Sequence, residues 1–482
     1  CCFYALYVSW YFVQLFHLPV APYWFLAENL ALYGLCFCVV RLTALASGGE
    51  HGGAIRCAGA VMLALPAILL ALCLLIPILP WAAIAHGLFT NFYYVVTFAY
   101  ALYFTVRGSL GQSWERRWTA AGCAVFGAGL SRDVAPDVVA VLRAARRIVA
   151  IDMPSGVDGA TGAVRGGAAQ AEMTVPFCRL KPGHLLLPGR TLCGRTVLAD
   201  IGIPESVLGE VPIRTWRNEP GLWRTPACTV TSYKYSRGVV SICGGREMPG
   251  AARLSAAGAR AAGAGLVRLA AGESAEAYRM TAPAGLIVDS DPLETLLEDR
   301  RRHVWVCGPG LSVAEVAAVF PALAGAGRAV IADAGAFSMA AGHPERLKGA
   351  SIITPHIGEF SRVFGGPGPD RVAAARQAAA RTGAVTVMKG PDTIIASPDG
   401  RVAINSHATP MLGTAGSGDT LTGIIAAMLA AGMPRWDAAC AGVWMHGDAA
   451  LHAGEWPVAE DFDRHLGAAR ARAEAEVKKV FG

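Results

Sequence analysis

The sequence predicts an α/β protein in three parts: N-terminal membrane-spanning helices over residues 1–106, a partial βαβ segment over 107–215, and a doubly wound, mostly parallel sheet over 225–482. Three observations lead to this prediction. Residues 1–106 carry only four charged side chains. From about residue 120 a strand, a glycine turn, a helix and a second strand follow one another. After residue 225 short apolar runs alternate with Ala-rich helical stretches, which is typical of a parallel sheet covered on both faces.

The N-terminal region contains long apolar runs without charge. Three runs are long enough to span a bilayer, 18–40, 57–78 and 86–106, and a shorter run, 3–16, is read as the end of a further span. Two spans separate the basic residues around Arg41 and Arg56 from those that begin at Arg107, so both groups lie on one side, and the positive-inside rule makes that side the cytoplasm. We expect a membrane-anchored protein with its catalytic part in the cytoplasm. The alternatives are buried core helices, and a cytoplasmic protein if this region is an artefact of gene assembly.

The composition of the whole chain excludes several classes of function. The net charge of +6 is spread over Arg-rich helices such as 143–147 with no interleaved aromatic residues, so nucleic-acid binding is not expected. The 13 cysteines include no CxxC pair, which indicates neither a zinc site nor a disulfide framework and favours a reducing cytosol. Because the chain begins with Cys1 rather than Met, we interpret it as a fragment or a processed product.

The middle segment reads as a βαβ unit. Val125–Arg132 is predicted to be a strand that enters a glycine turn, followed by a helix at about 136–146 and a strand at Ile148–Ile151. Asp152 and Ser155 come directly after that strand, where ligands bind in such units. A turn built from Pro, Ser, Gly and Asp explains these two residues equally well.

The motifs of the middle segment resemble the C-terminal half of the Rossmann-like NAD(P)H-hydrate epimerase domain. The motifs are FGxGLxR (126–132), DxPSGxDxxTG (152–162), KPG (181–183) and DIGIP (200–204). The resemblance implies that Asp152 and the Gly127–Arg132 turn hold the nucleotide substrate and that Ser155 binds potassium. The family's upstream Asn-Asn-Gly-Gly-Asp-Gly loop is absent, and Cys123 stands where the family has an acidic residue. We therefore expect an incomplete, inactive epimerase.

Six apolar runs in the C-terminal part are predicted to be strands. They are Val239–Cys243, Leu266–Ala270, Val304–Cys307, Ala329–Ala332, Ile352–Thr354 and Val385–Lys389. Several are followed by glycine-rich or polar motifs, namely MPGAA (248–252), GPGL (308–311), Asp333, TPHIGE (354–359) and KGPDT (389–393). Because parallel strands present their ligand groups at their carboxyl ends, we expect the site at this edge of the sheet.

The stretch LGTAGSGDTLTG (412–423) carries the strongest chemical signal. Its glycines and small hydroxyl residues form a flexible loop before an apolar helix, and free N–H groups at a helix N-terminus attract anions. Asp419 lies at this junction, where a purely phosphate-binding loop would not place a negative charge. A base that deprotonates a hydroxyl attacking a phosphoryl group would belong there, so phosphoryl transfer is the first hypothesis.

Two further motifs are open to more than one interpretation. His356 and Glu359 could be a metal pair, but two ligands without a third make zinc improbable, and a carboxylate acting through water on Mg²⁺ suits Glu359 better. Lys389 and Thr393 supply a positive charge and a hydroxyl for a nucleotide phosphate. Alone, such a lysine is more often a surface residue.

Taken together, these motifs closely resemble the ADP-dependent NAD(P)H-hydrate dehydratases of the ribokinase-like superfamily, over residues of about 230–475. The resemblance implies Mg²⁺, ADP as co-substrate and a homo-oligomer. It assigns Ala251, Gly310, His356 and Asp419 to the hydrated nicotinamide nucleotide. It assigns Lys389, Gly390, Pro391, Asp392, Thr393 and Gly418 to the adenine nucleotide. Ala415, Gly416, Ser417 and Gly418 would form an anion hole.

The reaction implied by the resemblance is removal of water from hydrated NADH or NADPH, with ADP converted to AMP and phosphate. Asp419 would be the base, and Glu359 would help to place Mg²⁺. Two rival functions stay open. A small-molecule kinase of the same superfamily would share the GSGD motif, with little reason to carry GPGL and TPHxGEF together. A membrane-tethered, non-catalytic nucleotide sensor would bind ADP without releasing phosphate.

Overall fold

The structure is a computed structural model that describes residue 130 and residues 132–481. This part of the chain divides into two compact units. The first unit includes Arg165–Cys178 and Cys193–Gly202 together with the described residues up to Gly156. The second contains Val157–Val164, Arg179–Leu192 and Ile203–Gly482. The DxPSGxDxxTG motif is therefore divided between the two units, after Gly156.

The described residues of the first unit form a small parallel sheet and one helix. Its elements are α1 (Pro136–Ala144), β1 (Val149–Ile151), β2 (Met173–Val175) and β3 (Arg195–Thr196), with the strands in the order β1-β2-β3. The predicted helix and the strand after it are confirmed. The predicted first strand and the glycine turn lie outside the described residues, apart from Leu130 and Arg132.

The second unit is built on a ten-stranded sheet in the order β4-β13-β12-β11-β10-β9-β8-β5-β6-β7. The strands are β4 (Thr215–Arg217), β5 (Val239–Cys243), β6 (Leu266–Ala270), β7 (Ile287–Asp289), β8 (Val304–Cys307), β9 (Ala329–Ala332), β10 (Ala350–Ile353), β11 (Val385–Met388), β12 (Thr393–Ala396) and β13 (Val402–Asn405). Only β12 runs antiparallel to its neighbours in this sheet, so the prediction of a mostly parallel sheet is confirmed. Because β4 pairs with β13, this unit includes residues before the predicted start at 225.

Helices cover both faces of this sheet. They are α2 (Gly189–Leu192), α3 (Glu205–Glu210), α4 (Pro249–Ala261), α5 (Ala275–Arg279), α6 (Leu293–Glu298), α7 (Val313–Gly325), α8 (Gly335–Met339), α9 (Ile357–Phe364), α10 (Arg371–Thr382), α11 (Ser417–Ala430), α12 (Arg435–His452) and α13 (Ala459–Phe481). In β8, Val304 and Val306 belong to one apolar cluster, whereas Trp305 and Cys307 belong to another. Because successive side chains of a strand point to opposite faces, the sheet has a core on each side, as a doubly wound fold requires.

Two features of this fold position the site. The strand order reverses between β5 and β8, so the loops after these two strands diverge at a switch point, where doubly wound sheets bind ligands. In addition, α11 packs closely on α4: a Cβ added to Gly423 would lie 1.9 Å from the carbonyl oxygen of Ser255. Only a glycine permits this approach, and the Ser255 hydroxyl then donates to the carbonyl oxygen of Asp419 at 2.9 Å.

The predicted membrane spans, 3–16, 18–40, 57–78 and 86–106, lie outside the described residues. Among the residues that the structure does describe, none of the helices combines the length and the apolarity needed to cross a bilayer.

Candidate functional site

Two glycine loops meet where the strand order reverses. Gly245 follows β5 and Gly310 follows β8, and a Cβ added to Gly245 would lie 1.9 Å from the carbonyl oxygen of Gly310. Gly310 has φ +75°, and a Cβ added there would lie 3.4 Å from the Cβ of Ala251 in the first turn of α4. The structure therefore brings together Ala251 and Gly310, both assigned to the nicotinamide nucleotide from the sequence.

A second group of residues surrounds the ammonium of Lys389, directly after β11. Its Nζ lies 2.8 Å from Oδ1 of Asp333, at the end of β9, and 4.0 Å from Oε2 of Glu359. The carboxylate of Asp333 is only 2 % exposed. Its other oxygen accepts a hydrogen bond of 2.7 Å from the hydroxyl of Thr422, in α11. Lys389 is thus held by the protein and is not a freely moving surface lysine.

The charges in this group shift each other's protonation. Burial alone would lower the pKa of Lys389, but the carboxylates of Asp333 and Glu359 raise it above its ordinary value. Burial, aided by the charge of Asp333, raises the pKa of Glu359, although Lys389 acts in the opposite direction. The lysine therefore stays charged at neutral pH, and the carboxylates beside it outnumber it.

Asp419 is the third residue of α11 and belongs to the same electrostatic group. Burial, followed by the negative charges of Asp333 and Glu359, raises the pKa of Asp419 to about 6, against the opposing effect of Lys389. Such a carboxylate is mostly ionised at pH 7 and still basic enough to accept a proton, which is the condition for a general base. The charges of Glu359 and Lys389 thus act on the carboxyl group of Asp419.

The loop before α11 leads directly into the N-terminus of that helix. Gly416 precedes the helix with φ +83°, a left-handed conformation, and the first N–H groups of a helix have no intrahelical acceptor. The N–H of Ser417 already donates to the carbonyl oxygen of Thr414, at a long 3.4 Å. Gly418 lies beside the lysine: a Cβ added to it would be 3.1 Å from Nζ of Lys389.

The buried side chain of His446 contacts this loop through Ser417. Nε2 of His446, in α12, lies 3.3 Å from the hydroxyl of Ser417, and its ring meets Phe462 edge-on. Burial lowers the pKa of His446 to about 3, and the charge of Lys389 acts in the same direction. The ring is therefore neutral at physiological pH and serves as a fixed hydrogen-bonding partner.

His356 and Glu359 form a helix cap at the start of α9. Nδ1 of His356 accepts hydrogen bonds from the N–H groups of Gly358 (3.0 Å) and Glu359 (3.3 Å), and Oε2 of Glu359 accepts from the N–H of His356 (2.9 Å). This reciprocal pattern is a capping box. Because Nδ1 is an acceptor, a proton on the neutral ring belongs on Nε2, and this ring is more than half exposed.

The structure gives limited scope for a metal. Within the described residues, no three His, Cys, Asp or Glu side chains are grouped closely enough to hold an ion. The interpretation of His356 and Glu359 as a zinc pair is accordingly not supported. Mg²⁺ differs, because it usually keeps several waters and is held by substrate phosphates and one or two carboxylates. Glu359 beside Asp333 and Asp419 fits that mode of binding.

In the KGPDT loop, Thr393 and Asp392 both make contacts within the protein. The hydroxyl of Thr393 donates to the carbonyl oxygen of Gly390 (2.8 Å), which closes the loop on itself. Asp392 has a fully buried carboxylate paired with Arg371 of α10. The Asp392 carboxylate is therefore used within the protein, and the nucleotide contact that the resemblance implies for this residue stays a prediction.

In the first unit, Asp152 has φ +64°, and its Oδ1 accepts a hydrogen bond of 3.2 Å from the N–H of Phe177, just after β2. Ser155 lies half-buried in the turn that follows. This geometry matches the turn alternative for these two residues. Their predicted contacts with substrate and potassium stay predictions, since Gly127–Gly129 and Ser131 lie outside the described residues.

Three residues of the site received no role from the sequence. Asp333 was noted only as a polar residue after a predicted strand, Thr422 only as part of the stretch 412–423, and His446 was given no role. A signal existed for Thr422, because it follows Asp419 by three residues and therefore shares its helix face. No local signal connects Asp333 with Lys389, which lies 56 positions away.

Two family models match the chain. The model described as NAD(P)H-hydrate dehydratase matches residues 239–466, which span every residue of the Lys389 and Asp419 group. The model described as YjeF-related protein N-terminus matches residues 124–183. The two matches agree with the two resemblances drawn from the motifs.

Several relatives of this chain are described as bifunctional NAD(P)H-hydrate repair enzymes. The bifunctional NAD(P)H-hydrate repair enzyme of Mycobacterium tuberculosis is 39 % identical over 65 % of this chain, and this chain spans 65 % of its length. The corresponding enzyme of Mycobacterium leprae is 37 % identical, with 68 % of each chain covered. The ADP/ATP-dependent NAD(P)H-hydrate dehydratase of Bacillus subtilis, co-crystallised with ATP and Mg²⁺, has a TM-score of 0.47 at 26 % identity, over 55 % of this chain and 100 % of its own. On the sequence relationships, this chain belongs to the family of bifunctional NAD(P)H-hydrate repair enzymes.

Proposed function

We propose that the chain removes water from hydrated NADH or NADPH and drives this reaction by cleaving ADP to AMP and phosphate. One observation carries the proposal: Asp419, with a pKa raised to about 6, belongs to the same electrostatic group as Lys389 at the N-terminus of α11. A base next to a site for anions is the arrangement that phosphorylation of a hydroxyl needs.

The proposed reaction has two steps. Asp419 takes the proton from the C6 hydroxyl of the hydrated ring, and the oxygen attacks the β-phosphorus of ADP while the bond to AMP breaks. The lone pair of the ring nitrogen then expels phosphate from C6, and a proton leaves the neighbouring carbon to restore the dihydropyridine. Hydroxide is a poor leaving group and phosphate a good one, which explains why a nucleotide is consumed.

The residues around Asp419 have distinct parts in this proposal. Lys389, held by Asp333, would neutralise charge on the transferred phosphoryl group, and the N–H groups at the start of α11 would add oriented donors, which can contribute several kcal/mol. Glu359 would hold Mg²⁺ through water, and bound Mg²⁺ supplies charge neutralisation on the phosphates. His356, whose side chain is 57 % exposed, would contact the substrate.

Other parts of the proposal rest on the sequence. We retain membrane anchoring through residues 1–106, cytoplasmic location of the catalytic part and a homo-oligomer as expectations. We also expect no epimerase activity, because the upstream loop of that family is missing from this chain. The choice of ADP over ATP comes from the resemblance.

The test uses the full chain with hydrated NADH, Mg²⁺ and either ADP or ATP. We expect the absorbance of reduced nicotinamide to appear in step with free phosphate, more rapidly with ADP. A stable phosphorylated product without this absorbance would identify a kinase instead. Nucleotide binding with neither absorbance nor phosphate release would identify a non-catalytic sensor.

A further inference from the structure

The buried pair of Asp392 and Arg371 connects the KGPDT loop to a distant piece of chain. Nη1 of Arg371 donates to Oδ1 of Asp392 at 2.7 Å, and its Nη2 contacts both the other carboxylate oxygen and the carbonyl oxygen of Leu187, the latter at 3.1 Å. The N–H of Leu187 donates back to Oδ2 of Asp392 at 2.6 Å. Leu187, in the segment Arg179–Leu192, therefore makes hydrogen bonds to this pair through both its N–H and its carbonyl oxygen.

The same segment makes two further contacts around the loop. Nη1 of Arg190 donates to the carbonyl oxygen of Pro391 at 3.1 Å. Leu185 and Leu186 pack in one apolar cluster with Met388 and Ile394, the residues that flank the loop at the end of β11 and within β12. The loop Lys389–Thr393 is therefore held at its base by buried apolar side chains and at its tip by hydrogen bonds.

We infer that the segment Arg179–Leu192, together with Arg371, positions the nucleotide loop Lys389–Thr393 of the dehydratase region. This inference rests on the proposed function for the role of that loop. The segment contains the epimerase-like KPG motif (181–183), and the epimerase-related match ends at residue 183. Yet it folds in the second unit, with the dehydratase region, so a piece placed with one activity by its sequence serves the other.

The contacts specify how the positioning works. Lys389 opens the loop, and its N–H donates to the carbonyl oxygen of Pro355 at 2.8 Å, while its ammonium pairs with Asp333. Asp392, three residues later, is fixed by Arg371 and Leu187. With both ends fixed, the backbone of Gly390 and Pro391 has a single conformation to present to a nucleotide. Release of the Asp392 end would loosen this backbone and leave Asp419 and its neighbours in place.

The test measures binding of ADP with Mg²⁺ to full-length variants by calorimetry, and KM for hydrated NADH in the same proteins. For Arg371→Met we expect ADP binding weakened about tenfold, or about 1.4 kcal/mol, with KM for the hydrate within twofold of wild type. Arg190→Met, which removes one exposed contact, should weaken ADP binding two- to threefold. Arg371→Lys should recover part of the loss.

Arg376→Met is the matched control. Arg376 lies on the same helix, α10, and its guanidinium donates to the carbonyl oxygen of Gly400 (3.0 Å) and to the hydroxyl of Thr215 (2.7 Å), away from the loop. Its loss should reduce thermal stability and leave ADP binding unchanged. If Arg371→Met does not fold, Arg190→Met and Asp392→Asn decide the question.

The inference is overturned if these variants, once folded, bind ADP as wild type does, or if Arg376→Met weakens ADP binding equally. It is also overturned if KM for the hydrate rises in parallel with the loss of ADP affinity, which indicates a general structural effect. A wild-type chain that binds neither ADP nor ATP removes the proposed function along with the inference. Normal ADP binding in all variants removes the inference alone.

Discussion

The ammonium nitrogen of Lys389 lies 2.8 Å from Oδ1 of Asp333, and this ion pair joins the ends of two strands to the helix that carries Asp419. The connection is made by Thr422, whose hydroxyl donates to the second oxygen of Asp333 at 2.7 Å. A buried charge that loses its partner is strongly destabilising, so each member of the group keeps the others in place.

Substitution of Asp419 by asparagine should separate binding from catalysis. Asp419→Asn keeps the shape of the side chain and removes the base, so turnover should fall by roughly 10²–10⁴-fold while the affinity for ADP stays within a few-fold of wild type. Stopped-time assays of reduced nicotinamide, together with calorimetry, measure both quantities. Turnover near the wild-type rate would contradict the assignment of the base.

The same substitution should make the protein more stable at pH 7. Folding raises the pKa of Asp419 from its ordinary value of 3.8 to about 6, so the folded state holds the proton more tightly and stability falls as pH rises from about 4 to 6. Asp419→Asn removes this cost and should raise the free energy of unfolding by up to about 3 kcal/mol at pH 7. Urea denaturation at pH 4 and pH 7 provides the comparison, because the gain should vanish at the lower pH.

The pH dependence of activity should report the charge of Asp333. Activity requires ionised Asp419, so kcat/KM should rise with pH and level off above about 6. Asp333→Asn removes the negative charge that helps to raise the pKa of Asp419, so the rising limb should move to lower pH. An unmoved limb in a folded variant would show that Asp419 does not govern the profile.

His446 should affect stability in acid. Burial lowers its pKa from the ordinary value of 6.5 to about 3, so the unfolded chain binds more protons between these limits. The free energy of unfolding contributed by this residue is fully present above pH 6.5 and is lost as pH falls towards 3. His446→Gln keeps a polar partner for Ser417 and should flatten this decline, as denaturant titrations at pH 7 and 5 would show. An equally steep decline would exclude His446 as a source of it.

Gly418→Ala should leave the stability of the protein intact and raise KM for ADP. In a helix, alanine is favoured over glycine by about 1 kcal/mol, so Gly418→Ala should not lower the melting temperature. The new methyl carbon would lie 3.1 Å from Nζ of Lys389 and displace the ammonium. We expect KM for ADP to rise several-fold. Gly432→Ala, which meets no atom within 4 Å but has φ +95°, provides the opposite control, with stability lost and KM unchanged.

The sequence alone predicted the parallel part of the large sheet well, because buried parallel strands are continuous apolar runs. The runs at Val239–Cys243 and Val304–Cys307 have the same bounds in the structure. Four strands of this sheet were not predicted: β4, β7 and the hairpin of β12 and β13. A signal for the hairpin was present, since Ser397-Pro398-Asp399-Gly400 between two apolar runs is typical of a hairpin turn, and Gly400 adopts φ +91° there.

The site was predictable where a residue type has one chemical use and unpredictable where it has two. Asp419 beside a glycine loop predicts a base, and this role stays a prediction. His356 and Glu359, three residues apart, match both a ligand pair and a capping box, and the structure shows the second. The partner of Asp392 could not be predicted, because Leu187 is 205 residues away and contributes only backbone atoms.

The hydrogen bonds between Leu187 and Asp392 constrain how this chain can change over evolutionary time. Leu187 contributes through its peptide group, so many side chains can replace it, but the stretch of chain itself cannot be deleted without exposing a buried acid. A lineage that has lost isomerisation would still retain this short stretch. Residual similarity to an isomerase is then no measure of residual isomerase chemistry, and a gene trimmed at the apparent border between two activities would damage the one it was meant to isolate.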